Sequence, residues 1–201
     1  MRRVVVVSLV SVVVGAVGLL GVQWSGLFDR LDGSAGDNSS PAIDRATPGR
    51  YSLVLEQVCV RGTQKATITA VRPVKATDGV RIVDFAVAPP GTGNPRSRQP
   101  LQQFVDALPF GTTAPLTRTV ENRCADGNPL FSSRQVAVEV RVTDLPAVIA
   151  GVEVDYTIRG IKRTATFDNG ATFCRGDETP ADDERLATDL GLEDLSWSCS
   201  Q

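Results

Sequence analysis

The sequence predicts a mainly β fold: an antiparallel β-sandwich preceded by one N-terminal transmembrane helix and ended by a short C-terminal helix. Three observations predict it. After residue 50 the apolar residues recur with a period of two, as on strands with one buried face. Nineteen almost unbroken apolar residues, Val4 to Val22, follow only Met1, Arg2 and Arg3. Thr179-Pro180, followed by acids, opens a helical pattern that stops before Gly191. The 201 residues then divide into a membrane anchor (1–24), a flexible linker (25–49), a β domain (50–176) and an acidic tail (177–201).

At a rise of ~1.5 Å per residue the apolar run covers about 28 Å, close to the ~30 Å hydrocarbon thickness of a bilayer. Arg2 and Arg3 on its short side predict that the N-terminus stays in the cytoplasm and that everything after Trp24 is translocated. The run exceeds the roughly 7 to 15 apolar residues of a cleavable signal peptide, and Val22-Gln23-Trp24-Ser25 lacks a small-residue cleavage pattern. It therefore reads as an uncleaved signal-anchor in the cell membrane. Trp24 falls where an interfacial aromatic follows a spanning helix. Gly33 to Pro41 (GSAGDNSSP) has the small, polar, turn-rich composition of a tether.

In the β domain, Tyr51 to Val60 and Lys65 to Arg72 read as a hairpin joined through Arg61-Gly62-Thr63-Gln64, followed by strands at Val80 to Val87 and Leu116 to Asn122. Alternation is cleanest in Gln135 to Thr143, where Val136, Val138, Val140 and Val142 alternate with Ala137, Glu139 and Arg141. It returns in Val152 to Arg159, where Val152, Val154, Tyr156 and Ile158 alternate with Glu153, Asp155 and Thr157. This pattern turns Glu139, Glu153 and Asp155 toward solvent. Arg159-Gly160 makes a tight hairpin into Ile161 to Phe167. Leu101, Phe104, Val105 and Leu108, at helical spacing between Pro100 and Pro109, predict one short helix that caps the sandwich. About seven short strands with turn signals roughly every ten residues resemble an immunoglobulin-like or fibronectin-like architecture, although no Trp occurs between Trp24 and Trp197. At the tail, Thr179 is the expected N-cap and Pro180 the first helical residue, with Leu186, Leu190, Leu192, Leu195 and Trp197 supplying apolar surface to dock.

Cys59, Cys124, Cys174 and Cys199 all lie on the translocated side, where thiols are oxidised, so two disulfides are expected. Four cysteines allow three connectivities; Cys124 with Cys174 and Cys59 with Cys199 is the pairing we favour. No Cys-x-x-Cys occurs, and the wide spacing suits neither thiol redox chemistry nor zinc. Charge is unevenly distributed. Residues 50–176 carry 16 Lys or Arg against 11 Asp or Glu, whereas residues 177–201 carry eight acids and the single base Arg185. A tail bonded through Cys199 would hold this acidic segment against the basic body.

Histidine is absent, which removes Ser-His-Asp and Cys-His relays and imidazole metal sites. A carboxylate pair of glycosidase type needs two acids about 5 to 9.5 Å apart in a cleft, and most acids here face outward or crowd the tail. Asp168-Asn169-Gly170 is a fragment of a calcium loop and reads as a turn, and Gly91-Thr92-Gly93 lacks the Gly-Lys-Ser/Thr that completes a phosphate loop. No catalytic, cofactor-binding or metal-binding residue is assigned, and no motif points to a small-molecule substrate. Arg96 and Arg98 in one loop, and Arg159, Lys162 and Arg163 at one hairpin, are the candidate contacts for anionic lipid headgroups or acidic envelope polymers. Nucleic acid is an unsuitable partner, because few aromatics are present to stack bases.

The leading expectation is a non-enzymatic, membrane-tethered sandwich that binds an envelope protein or polymer through its loops or a strand edge. Two alternatives stand beside it. One is an accessory subunit assembled through a helix that carries Gly15, Gly18 and Gly21; the other is a carboxylate hydrolase acting on cell-wall glycan. With only Lys65, Lys75 and Lys162 against many arginines, and with abundant Val, Ala and Asp, the chain resembles in composition the small envelope proteins of actinobacteria.

Overall fold

The period-two stretches of the sequence close into two facing sheets in a computed structural model of the protein, which describes residues 29–33, 42–62, 64–90, 95–108, 116–124, 133–192 and Cys199. The strands are β1 (Arg30–Gly33), β2 (Ala42–Ile43), β3 (Gly49–Arg61), β4 (Ala66–Ala76), β5 (Val80–Ala88), β6 (Arg96–Ser97), β7 (Thr119–Val120), β8 (Arg134–Val142), β9 (Ala147–Ile158), β10 (Ile161–Phe167) and β11 (Ala171–Phe173). Helix α1 (Leu101–Asp106) lies between β6 and β7, and helix α2 (Pro180–Leu190) follows β11. The molecule is mainly β and consistent with a β-sandwich.

One sheet has the order β1-β3-β8-β5, with β6 sharing the outer edge of β3 with β1. The other runs β2-β11-β9-β4-β7, with β10 beside β11 along the same edge of β9. Pairing is antiparallel except between β2 and β11. Leu53, Leu55, Val136, Val138 and Val140 of the first sheet face Ile68, Ile149, Val152, Val154, Tyr156 and Phe173 of the second across one apolar core. This inward alternation is the physical reason the valine-rich segments form strands: each one contributes a complete row to that core.

Both sheets are also covered outside, which the alternation alone does not reveal. Leu101, Phe104, Val105 and Leu108 of α1 and its exit pack on Val54, Ala86, Ala88 and Ala137, the outward residues of the first sheet. Leu186 of α2, with Leu190 and Leu192, packs on Val148 and Ala150 of β9. Strands buried on both faces lose the simple alternation, so β9 begins at Ala147, five residues before the predicted Val152. The same cover corrects the placement of Glu139. It is buried, accepts Leu101 N–H at 3.2 Å, and pairs with Arg50 at 3.0 Å. Pro100 offers α1 no side-chain cap, and the carboxylate of Glu139 takes that place from the neighbouring strand. Glu153 and Asp155 remain solvent-accessible at 41% and 29% of their side chains.

Other expectations are corrected. The stretch Tyr51 to Arg72 is not a paired hairpin: both edges of β3 are occupied, by β8 and by β1 with β6, and the chain crosses to the second sheet, where β4 pairs with β9. The strand expected over Leu116 to Asn122 contracts to Thr119–Val120, with single bridges from Thr117 to Val87 and from Arg123 to Val60. Within the segment read as a linker, Arg30–Gly33 pairs along β3 and Ala42–Ile43 along β11. The apolar run Val4 to Val22 and Trp24 lie outside the described residues; among the described residues no helix is long and apolar enough to cross a membrane.

The disulfides are Cys59–Cys124 and Cys174–Cys199, in place of the favoured pairing. β8 ends its pairing at Val58, which leaves the next residues of β3 free on that edge. The segment after β7 fills it, with Val60 N–H on Asn122 O at 2.8 Å and Cys124 N–H on Val60 O at 3.1 Å, so Cys124 arrives beside Cys59. Cys174 leaves β11 toward α2, where Asp183 accepts Cys199 N–H at 3.2 Å. As expected, α2 is capped by Thr179 in a reciprocal box with Asp182, starts at Pro180, and ends at Gly191 in the left-handed conformation. Lys75 donates to Gly191 O at 2.7 Å, a cation at the negative end of the helix.

Candidate anion-binding site

β6 is a two-residue strand held on the edge of β3 through Ser97 opposite Ser52 and Arg96 opposite Leu53. Pro95 fixes its start, because the carbonyl of Pro95 accepts Val54 N–H at 3.2 Å. Arg96 lies in β6 and Arg98 in the bend that follows it. Both line a surface pocket of about 260 Å³ with Ile43, Arg45, Ala46, Tyr51 and Ser97.

Each guanidinium is held by a neutral partner. Arg96 donates to the carbonyl of Ala42. Arg98 donates to Thr47 Oγ1 at 2.7 Å and to Pro48 O at 3.2 Å, and its guanidinium carbon sits 5.2 Å from the centre of the Tyr51 ring. Tyr51 is fixed in turn: its hydroxyl donates to Thr47 O at 2.7 Å and accepts Thr47 N–H at 2.9 Å, while its ring packs on Phe173. Arg45 makes no hydrogen bond or ion pair to a described residue and stands on a backbone with φ of 52°. The turn that carries it is pinned on both sides, by Cys174 N–H on Ile43 O at 2.9 Å and by Ala46 N–H on Cys174 O at 2.6 Å.

No carboxylate lines this pocket among the described residues. Asp44, next to Arg45 in the chain, is exposed and is not part of the lining. At the neighbouring turn, Glu178 is spent internally on the N–H groups of Arg175 and Gly176, at 2.5 and 2.7 Å, and Asp177 pairs with Arg175 at 3.3 Å. Burial alone would push the Glu178 carboxyl up; the two backbone N–H groups and the Arg175 guanidinium overcome it and hold the group below the usual carboxylate range.

The hairpin cations meet different surroundings. Arg159 and Gly160 both have positive φ, 52° and 77°, the two-residue turn that joins β9 to β10. Arg159 turns to the buried Asp29, 3.8 Å away, instead of joining its neighbours. Lys162 and Arg163 line an open groove of about 470 Å³ with Thr69, Asp155, Tyr156 and Thr164. Here an acid is present. Asp155 pairs with Arg72 and accepts the Thr164 hydroxyl at 2.8 Å, and the Arg72 hydrogen bond foremost, then Thr164, holds its carboxyl below the usual aspartate range. Glu153 adds a second contact to Arg72 at 3.4 Å.

The structure thus brings Arg96 and Arg98 together and separates Arg159 from Lys162 and Arg163. It adds Arg45, which lies 51 residues before Arg96 in a segment read as linker. No local pattern marks it, because its placement depends on β2 pairing with β11 across the whole chain. The buried acids are tied into the fold: Glu56 accepts Gln57 N–H at 2.9 Å and Asn169 Nδ2 at 2.6 Å, Glu139 caps α1, and Asp183 holds Cys199 N–H. Asp168-Asn169-Gly170 is the irregular step between β10 and β11. No protein-family model matches the chain, and comparison with curated proteins finds no relative.

Proposed function

We propose that this chain is a membrane-tethered, extracytoplasmic β-sandwich that serves as a non-enzymatic binding module of the cell envelope and takes hold of an acidic polymer or an acidic face of an envelope protein. The observation that carries this reading is the pocket of Arg45, Arg96 and Arg98, three permanent cations with no carboxylate among the described lining residues. Cations left without acids on a folded surface attract anions from outside the molecule.

Two further features support the setting. The apolar run Val4 to Val22 behind Arg2 and Arg3 fits a single membrane pass with the C-terminal domain outside, and two disulfides suit an oxidising compartment. The architecture we propose is immunoglobulin-like. The order β1-β3-β8-β5 corresponds to strands A-B-E-D of such a sandwich, and β4-β9 with the β10–β11 edge corresponds to C-F-G. The Tyr51 hydroxyl closing on Thr47, four residues upstream, resembles a tyrosine corner, although on a different strand.

In a sandwich of this kind the anchor only holds the domain at the membrane. Replacing Val4 to Val22 with an unrelated spanning helix is therefore expected to leave retention of an acidic polymer unchanged, measured with membrane-bound protein. Loss of retention on that exchange would contradict the reading and favour assembly through the helix itself.

A further inference from the structure

We infer that the pocket formed by Arg45, Arg96 and Arg98 is a site for a phosphate group, the chemistry shared by a phospholipid headgroup and a phosphate polymer. This rests on the reading of that pocket as the anion-binding face and names the anion. Three features of the site point to phosphate.

The first is uncompensated charge. Arg96 and Arg98 are held in place by Ala42 O, Thr47 Oγ1, Pro48 O and the Tyr51 ring, which position them without neutralising them. A guanidinium is a cation with five N–H donors in a fixed plane and no acceptor.

The second is a conformational cost accepted in order to place Arg45. Its backbone has φ of 52°, unfavourable for a residue with a long side chain. Its side-chain stem also passes so close to Gly176 that a Cβ there would lie 2.8 Å from Arg45 Cγ. Gly176 itself has φ of 94°, which only glycine adopts readily. Two constrained positions in contact with each other thus keep one arginine in the pocket.

The third is geometry and size. Arg96 and Arg98 come from the sheet edge and Arg45 from the turn after β2, so donors enter from two separate chain segments over a floor of Ile43, Ala46 and Tyr51. A carboxylate carries a single charge and offers its two oxygens in one plane. A phosphate group presents oxygens in tetrahedral directions and accepts several forks at once. A volume of about 260 Å³ admits that group with the atoms bonded to it.

The test uses the full-length protein in detergent micelles with two polymers matched in charge: linear polyphosphate, and polyglutamate as the carboxylate counterpart. Polyphosphate is expected to bind at least about tenfold more tightly. Arg45→Asn removes one guanidinium while retaining a residue that tolerates the left-handed backbone, and Gly176→Ala displaces Arg45 without removing a charge. Each is expected to weaken polyphosphate binding by about tenfold with the thermal transition of Arg45→Asn unchanged. Vesicles containing phosphatidylglycerol separate the sources: binding that shows the same dependence on Arg45 identifies a lipid headgroup, and binding to polyphosphate alone identifies a polymer, and either supports the site. Equal affinity for polyglutamate, with the same dependence on Arg45, would overturn phosphate as the ligand and leave the anion-binding module standing. Binding of neither polymer would overturn both, and polyphosphate binding indifferent to Arg45→Asn and Gly176→Ala would overturn this pocket as its location.

Discussion

The hairpin at Arg159-Gly160 and the pocket at Arg45, Arg96 and Arg98 each carry three cations, but the hairpin divides its cations among acids and the pocket gathers them without one. Asp29 faces Arg159, and Asp155 stands in the groove beside Lys162 and Arg163 while holding Arg72. In the pocket the cations rest on carbonyls, a hydroxyl and an aromatic ring. Charge counted along the sequence is therefore a poor guide to charge available for binding. What decides availability is whether the fold brings a carboxylate to the same surface, and a sheet does this readily, because its outward residues lie opposite partners on neighbouring strands.

The largest expected effect comes from removing the pocket cations. Arg96→Gln with Arg98→Gln should weaken binding of an acidic polymer by about a hundredfold, since each lost charge-assisted contact is worth roughly tenfold or more. Lys162→Gln with Arg163→Gln should change it by less than about twofold. Affinities of the two double variants measured side by side check this, and equal losses would contradict the difference between the two sites. The next effect comes from giving the pocket the acid it lacks: Ser97→Asp should lower affinity by about tenfold by pairing with the neighbouring guanidinium groups and repelling the ligand, while the fold stays intact by circular dichroism.

Removing the acid from the hairpin sharpens the contrast from the other side. Asp155→Asn leaves Arg72 with only the longer contact to Glu153, so weak polymer binding at that face should rise by about two- to threefold at low salt and vanish at high salt. The smallest effect is the same change made with protons. The folded Asp155 carboxyl titrates below its ordinary value, chiefly through the Arg72 hydrogen bond. Its contribution to stability is thus present above the ordinary aspartate range, near ~3.9, and is lost as pH falls through the lower folded value. Asp182, held down foremost by the Thr179 backbone N–H in the capping box, has the same sign. A melting temperature that is flat from about pH 7 to about pH 5 and falls only below about pH 4 is expected; a fall beginning near neutrality would contradict these assignments.

The features legible in the sequence are those set by local chemistry. The Thr179-Pro180 start and Gly191 stop of α2 need only a hydroxyl, a ring and a glycine in order. The Arg159-Gly160 turn needs only two residues between alternating runs. Features that depend on pairing across the chain were not legible. The period of two fixes which residues of Tyr51 to Val60 face inward and says nothing about whether the next strand joins the same sheet. Glu139 fits an outward position, and only the arrival of α1 from outside the sheet buries it. The disulfides follow the same rule, because the free edge of β3 that receives Cys124 exists only once β8 stops at Val58. Two of the three arginines were visible, since Arg96 and Arg98 stand two apart in one loop. Arg45 was hidden in the segment read as linker, and the pairing of Ala42–Ile43 with β11 places it.

The most direct test of the pocket is a titration of full-length protein, labelled at the arginine side chains, with polyphosphate, following each Nε–Hε resonance by NMR. Arg45, Arg96 and Arg98 are expected to shift together with a single affinity while Arg159 and Arg163 stay in place. Shifts centred on Arg159 and Arg163, with the pocket resonances unmoved, would contradict this expectation.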